Sequence, residues 1–84
     1  MTRSIQDAQV LVVGGAGNIG SHIVDAFAAK GARVTVYDTF ARGKMENLAG
    51  ALATGRVEIL EGDILDRAAL SRASQGKDFV LHLA

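Results

Sequence analysis

Gly14, Gly15, Gly17 and Gly20 follow Val10, Leu11, Val12 and Val13 without a spacer. Glycines at that spacing behind a short apolar run suit one kind of chemistry, the holding of phosphate. Gly15, Gly17 and Gly20 satisfy G-x-G-x-x-G, while Gly14, Gly17 and Gly20 satisfy G-x-x-G-x-x-G, so the doubled Gly14-Gly15 leaves two registers open. In either register the first glycine permits a tight turn. The second removes a Cβ that would keep phosphate oxygens away, and the third lets the following helix pack against the strand. Asp38 stands about 20 residues further on, where an acid accepts both hydroxyls of an adenosine ribose. The pattern predicts a dinucleotide site, with pyrophosphate on the glycines and ribose on the carboxylate. A solvated turn aspartate is the alternative for Asp38, and the order strand, glycines, helix, strand weighs against it. A phosphate loop of the nucleoside-triphosphatase type is excluded, because Ser21 and His22 stand where that motif needs Lys and Ser or Thr.

The elements that must position these residues are legible in the apolar spacing. Val10 to Val13 is β-branched and too short for a helix, the mark of a strand buried on both faces of a parallel sheet. Ile19, Ile23, Val24 and Phe27 recur as one face of a helix laid on that sheet. Its N-terminus points at the glycine turn, where free N–H groups and the helix dipole favour an anion. Lys30-Gly31 ends it, and Arg33 to Tyr37 is a second strand that delivers Asp38. Thr39 to Lys44 reads as a loop. Met45, Leu48, Ala49 and Leu52 read as a shorter amphipathic helix closed by Thr54-Gly55, and Val57 to Leu60 as a third strand. Asp66 is the expected N-cap of a helix from about Arg67 to Ser74, with Gly76 beyond its end, and Phe79 to Ala84 is a fourth strand. Right-handed crossovers turn this β-α-β-α-β-α-β order into an α/β, three-layer, Rossmann-type parallel sheet with strand order 3-2-1-4.

Composition narrows the remaining classes. The chain has 84 residues, one small domain's worth, and nine basic side chains balance nine acidic ones. No global field recruits nucleic acid or an anionic membrane. There is no cysteine, hence no disulfide or thiolate metal site, and His22 and His82 lack metal-ligand spacing. Both histidines have apolar sequence neighbours, Ile23 beside His22 and Leu81 and Leu83 beside His82, and are expected to be packing residues. No apolar run approaches a membrane span, and the polar segment Met1 to Gln9 is no signal peptide, so a cytoplasmic location is expected.

The stretches GGAGNIGSH (14–22), VYDTFARGKMENL (36–48), GDILD (62–66) and FVLHLA (79–84), in that order, resemble the amino-terminal half of the extended short-chain dehydrogenase/reductase family, in particular its nucleotide-sugar epimerases and dehydratases. The resemblance covers nearly everything after Gln9. It implies that residues 1–84 are an NAD(P)-binding Rossmann half-domain. It assigns Gly14, Gly17, Asn18, Ile19 and Gly20 to the pyrophosphate turn and Asp38 to the adenosine ribose. Thr39, Phe40, Ala41, Arg42, Gly43 and Lys44 would line the adenosine side; family members often have Asn where Thr39 stands. It further implies that Asp63 bonds the adenine amino group, that Ile64 packs on the ring, and that Leu83 and Ala84 pass under the cofactor. Read from the residues alone, Asp63 and Ile64 would close a turn and fill core.

A carboxylate at Asp38 bonds a ribose diol and repels a 2′-phosphate, so NAD is expected over NADP. Arg42 and Lys44 on the same loop are either ordinary solubilising residues or charges that would neutralise such a phosphate. Enzymes of the family resemble one another in a Tyr-x-x-x-Lys pair that moves the proton. This chain has one tyrosine, Tyr37, with Ala41 four positions on, and no catalytic residue is assigned. Two readings follow. The chain is the NAD-binding part of a nucleotide-sugar epimerase- or dehydratase-like oxidoreductase, inactive alone and meeting a nucleotide sugar only with a missing half, or it is a stand-alone nucleotide-binding or interaction module. A flavin-binding fold would leave GDILD and FVLHLA unexplained. Because the fourth strand has no fifth beside it, residues 79–84 are expected to form an exposed apolar edge that pairs with another copy or with the missing half.

Overall fold

A computed structural model describes residues 5–40 and 45–83. Strand β1 (Gln9–Val13) leads through the glycine turn into helix α1 (Asn18–Ala29), and β2 (Arg33–Asp38) follows. A 3₁₀ turn (Met45–Leu48) continues into the one-turn helix α2 (Ala49–Leu52), then come β3 (Val57–Glu61), α3 (Arg67–Ser74) and β4 (Phe79–His82). The four strands are all parallel and lie in the order β3-β2-β1-β4. The fold is the expected Rossmann-type sheet.

Its core follows from the alternation of side chains on β1 and β2. Val10, Val12, Val34 and Val36 face α1 and α2, where Val24, Leu48 and Ala51 cover them. Leu11, Val13 and Tyr37 face the other way, beneath α3, with Ala73. Both faces of β1 are thereby sealed and Val10 to Val13 have no exposed surface. Burial of each such side chain stabilises by about 1.5–3 kcal/mol. Local signals fall where the sequence places them: Gly31 and Gly76 take left-handed φ values of +87° and +72° just past α1 and α3, and the Asp66 carboxylate caps α3 by accepting the Ala69 N–H at 3.0 Å.

Four expectations need correction. Ile19 does not join the buried stripe of α1; it is 74% exposed, because it sits in the first turn, which overhangs the glycine turn instead of the sheet. His22 and His82 are exposed and not packed, the first on the solvent side of α1 and the second on the outermost strand. The helix expected over residues 45–52 is a 3₁₀ turn joined to a single α turn. The fourth strand is shorter than Phe79 to Ala84, ending at His82.

Among the described residues strand β4 pairs only with β1, and Phe79 and Val80 are exposed. Beside it Ile5, Phe27, Phe79, Val80 and Leu81 line an open apolar groove of about 300 Å³. Among the described residues no helix is long and apolar enough to cross a membrane.

One glycine outside the turn is demanded by packing alone. A Cβ on Gly62, just past β3, would run into the hydroxyl of Tyr37 and lie 2.6 Å from its Cζ. The Tyr37 ring is 2% exposed and has nowhere to swing. Gly62→Ala is therefore expected to cost about 1–3 kcal/mol, read as a lower urea midpoint with an unchanged slope.

Candidate functional site

The carboxyl ends of the four parallel strands deliver the turn after β1, residues 39–40 after β2, Gly62 and Asp63 after β3, and Leu83 after β4 to one edge of the sheet, where ligands of such folds bind. Two backbone bonds draw these segments together. Gly14 N–H donates to the Tyr37 carbonyl at 2.8 Å, and Leu83 N–H donates to the Val13 carbonyl at 2.8 Å.

Each glycine of the turn has a separate physical reason. Gly14 has a left-handed φ of +86°, so it is the residue that turns the chain, and this settles the register as Gly14, Gly17, Gly20. Gly15 is a packing glycine. Its Cβ would meet Val36 Cγ1 at 2.9 Å and Val12 and Val24 at 3.3 Å. At Gly20 a Cβ would overlap the Gly14 carbonyl oxygen and lie 2.8 Å from the Gly15 Cα, so the third glycine lets α1 close on the turn itself more than on the strand. Gly17 is different. Its φ of −75° suits any residue and its nearest neighbour would be the Gly14 carbonyl oxygen at 3.9 Å. Among the described residues nothing needs a glycine there.

The mouth of the turn is rich in donors. Ser21 N–H makes the first bond of α1, to the Gly17 carbonyl at 2.8 Å, so the N–H groups of Asn18, Ile19 and Gly20 have no carbonyl within the helix to reach. Gly17 is the N-cap, and among the described residues no side chain caps this end. Asn18 and Ile19 are exposed beside it.

Asp38 is held from both sides. Its Oδ2 accepts the Ala16 N–H at 2.9 Å, and its Oδ1 accepts the Phe40 N–H at 2.8 Å, which fixes Phe40 in the left-handed region at φ +61°. Each oxygen retains a lone pair for a further donor. One residue of this arrangement escaped the sequence reading: the Asn47 amide donates to the Ala16 carbonyl at 3.0 Å, tying the 3₁₀ turn to the glycine turn. The only sequence hint was an asparagine inside the VYDTFARGKMENL stretch.

Asp63 and Ile64 lie one strand further out, and both are exposed. Asp63 does close a turn, its Oδ1 accepting the Leu65 N–H at 2.9 Å and its carbonyl accepting the Asp66 N–H at 3.0 Å, but Ile64 does not fill core. Tyr37 donates its hydroxyl to that same Asp63 carbonyl at 2.8 Å. Burial, and then the negative charges of Asp66 and Asp63, raise the phenol above its ordinary pKa, with Arg72 opposing. It is a proton donor throughout the neutral range, and whatever stability its neutral form confers is complete below about pH 10 and lost as pH rises through the raised value. Thr39 is exposed at the mouth, and Leu83 stands half-exposed at its far side. Ala41, Arg42, Gly43, Lys44 and Ala84 lie outside the described residues.

A parallel sheet in this order, with the glycine turn under a helix N-terminus and a carboxylate at the end of β2, is a Rossmann-type α/β fold. Residues 10–84 match the model of the NAD dependent epimerase/dehydratase family, and the chain belongs to that family. It is 36% identical over 76 residues to UDP-glucuronic acid decarboxylase 1 of Arabidopsis thaliana, covering 90% of this chain and 16% of that protein. Among solved structures, an epimerase from Methanothermobacter thermautotrophicus superposes with a TM-score of 0.86 at 34% identity, over 95% of this chain and 23% of the other. UDP-glucose 4-epimerase from Brucella ovis, in complex with NAD, superposes with a TM-score of 0.76 at 37% identity, over 92% and 22%. The chain thus spans between 16% and 23% of the length of these relatives.

Proposed function

We propose that this chain is the NAD-binding portion of a nucleotide-sugar epimerase- or dehydratase-type oxidoreductase and that it holds the ADP half of the cofactor. The observation that carries the reading is Asp38, a carboxylate fastened to the glycine turn through Ala16 N–H and to its own loop through Phe40 N–H. Those two bonds fix the direction of the carboxylate. The space at Gly17 supports the same reading, since no described residue of the chain fills it. The relatives support it as well, one being a UDP-glucose 4-epimerase in complex with NAD.

In this assignment the Asn18, Ile19 and Gly20 N–H groups face the pyrophosphate and Gly17 lets it approach. Asp38 takes the ribose hydroxyls through charge-assisted bonds worth about 1.5–3 kcal/mol each. Asp63 accepts from the adenine amine, Ile64 packs on the ring, and Leu83 passes beneath. Thr39 and Phe40 line the adenosine side. Bound NAD supplies a hydride acceptor and donor for a sugar carbon. This chain's residues supply binding and orientation without proton transfer: its single tyrosine, Tyr37, is buried and bonded to Asp63. The proton-transferring and sugar-contacting groups, and the UDP-sugar class of substrate, belong to sequence beyond these residues. The domain itself is residues 1–84, in the cytoplasm.

Calorimetric titration with NAD and NADP tests the reading. NAD is expected to bind more than about tenfold tighter, because the 2′-phosphate takes away one ribose hydroxyl that donates to Asp38 and sets a second anion against it. Equal or tighter binding of NADP would overturn the ribose assignment.

A further inference from the structure

Tyr37 joins two parts of the site across the sheet. It stands next to Asp38 on β2, its ring is buried under α3 with Leu11, Val13 and Ala73, and its hydroxyl reaches the Asp63 carbonyl beyond β3. The turn at Asp63 does not need that bond to close, because the same carbonyl already accepts the Asp66 N–H. What the phenol adds is a tether between the turn and β2. Two more contacts keep the tether in register: Gly62 N–H donates to the Asp38 carbonyl at 3.0 Å, and Gly62 has no Cβ because the Tyr37 ring fills that space. The Asp63 carboxylate is then aimed by its Oδ1 bond to Leu65 N–H.

We infer that Tyr37 is a positioning residue for base selection: its hydroxyl sets the 62–66 turn relative to β2 so that the Asp63 carboxylate meets an amino-bearing purine at the end of the site that begins with Asp38. The inference rests on the adenine assignment above. An ionised carboxylate only accepts hydrogen bonds, so an aimed Asp63 favours the exocyclic amine of adenine and opposes the carbonyl oxygen of hypoxanthine. Discrimination of this kind depends on placement, since a carboxylate free to swing toward solvent leaves the wrong base unpenalised.

The test compares this chain with its Tyr37→Phe variant, which keeps the ring and removes only the donor. Affinities for NAD and for nicotinamide hypoxanthine dinucleotide are measured by calorimetry, and amide hydrogen exchange at Leu65 and Asp66 by NMR. The unsubstituted chain is expected to prefer NAD by about tenfold, and Tyr37→Phe to narrow that preference to about threefold or less while its affinity for the hypoxanthine dinucleotide stays within about twofold. Exchange at Leu65 and Asp66 is expected to accelerate in the variant, with or without ligand. A general loosening of the fold would weaken both dinucleotides alike and leave their ratio unchanged, and that outcome overturns the positioning role. So does unaltered exchange at the two amides. An unsubstituted chain that binds both dinucleotides equally overturns the adenine assignment itself, and base selection by Tyr37 falls with it.

Discussion

Alanine at Gly17 is expected to leave the fold intact and remove NAD binding, whereas alanine at Gly20, three residues away, is expected to cost the fold. At Gly20 the added Cβ is driven against the Gly14 carbonyl oxygen and to within 3.1 Å of the Gly15 carbonyl carbon. These are backbone atoms of a turn that already has Gly14 in the left-handed region, and they cannot rotate away as a side chain would. Overpacking costs about 1–3 kcal/mol when side chains can adjust, so Gly20→Ala belongs at or above the top of that range. A chain of this size has about 4–12 kcal/mol in hand. A large unfolded fraction by circular dichroism at 37 °C, with a urea midpoint well below that of the parent, is the expected observation. Gly17 is an ordinary extended residue with open space before it, and substitution there reduces unfolded-chain entropy, stabilising by about 0.4–1 kcal/mol. Its methyl instead occupies the approach to the donors of α1, and loss of NAD affinity by about a hundredfold, near 2.7 kcal/mol, is expected in calorimetry. Should Gly17→Ala bind NAD as the parent does, the phosphate is not held on this turn.

Asp38→Ala is expected to affect stability and binding together, because one carboxylate serves both. Removing it strands the Ala16 and Phe40 amides, both part-buried, at a cost of about 1–3 kcal/mol each where water cannot replace the lost acceptor. It also removes the ribose contacts, so NAD affinity is expected to fall by about a hundredfold or more. Asp38→Asn separates the two roles. Its amide oxygen still accepts one of the backbone N–H groups, which retains part of the stability, but the charge that repels a 2′-phosphate is gone. The NAD preference over NADP should therefore drop toward unity in Asp38→Asn while the thermal midpoint falls by less than in Asp38→Ala. A variant that binds NAD normally would show that Asp38 only ties the turn to β2.

The legible part of this protein is the part governed by short-range rules. Val10 to Val13 could only be a doubly buried strand, Gly31 and Gly76 end helices through their own φ angles, and Asp66 caps α3 through an amide three residues on. The strand order followed from crossover handedness, and the family from four motifs in sequence. Ile19 misled because helical periodicity says which side of a helix is apolar and nothing about whether the sheet extends beneath the first turn. His22 and His82 misled for a related reason: apolar neighbours in sequence are not neighbours in space.

By itself, then, the amino-acid sequence determined that a glycine turn joins a buried strand to a helix, that Asp38 ends the next strand, and that the whole is a parallel Rossmann-type sheet. Only the tertiary structure decided what each polar group does. Whether Gly14 or Gly15 makes the turn depended on which φ turned positive and which Cβ site met Val36. That Asn47 reaches Ala16, that Asp38 accepts the Ala16 N–H, and that Tyr37 grips Asp63 are contacts between residues 31, 22 and 26 positions apart. Periodicity and propensity act over a few residues along the chain. Such bonds form only where strand pairing brings distant segments within hydrogen-bond reach, and no local rule contains that distance.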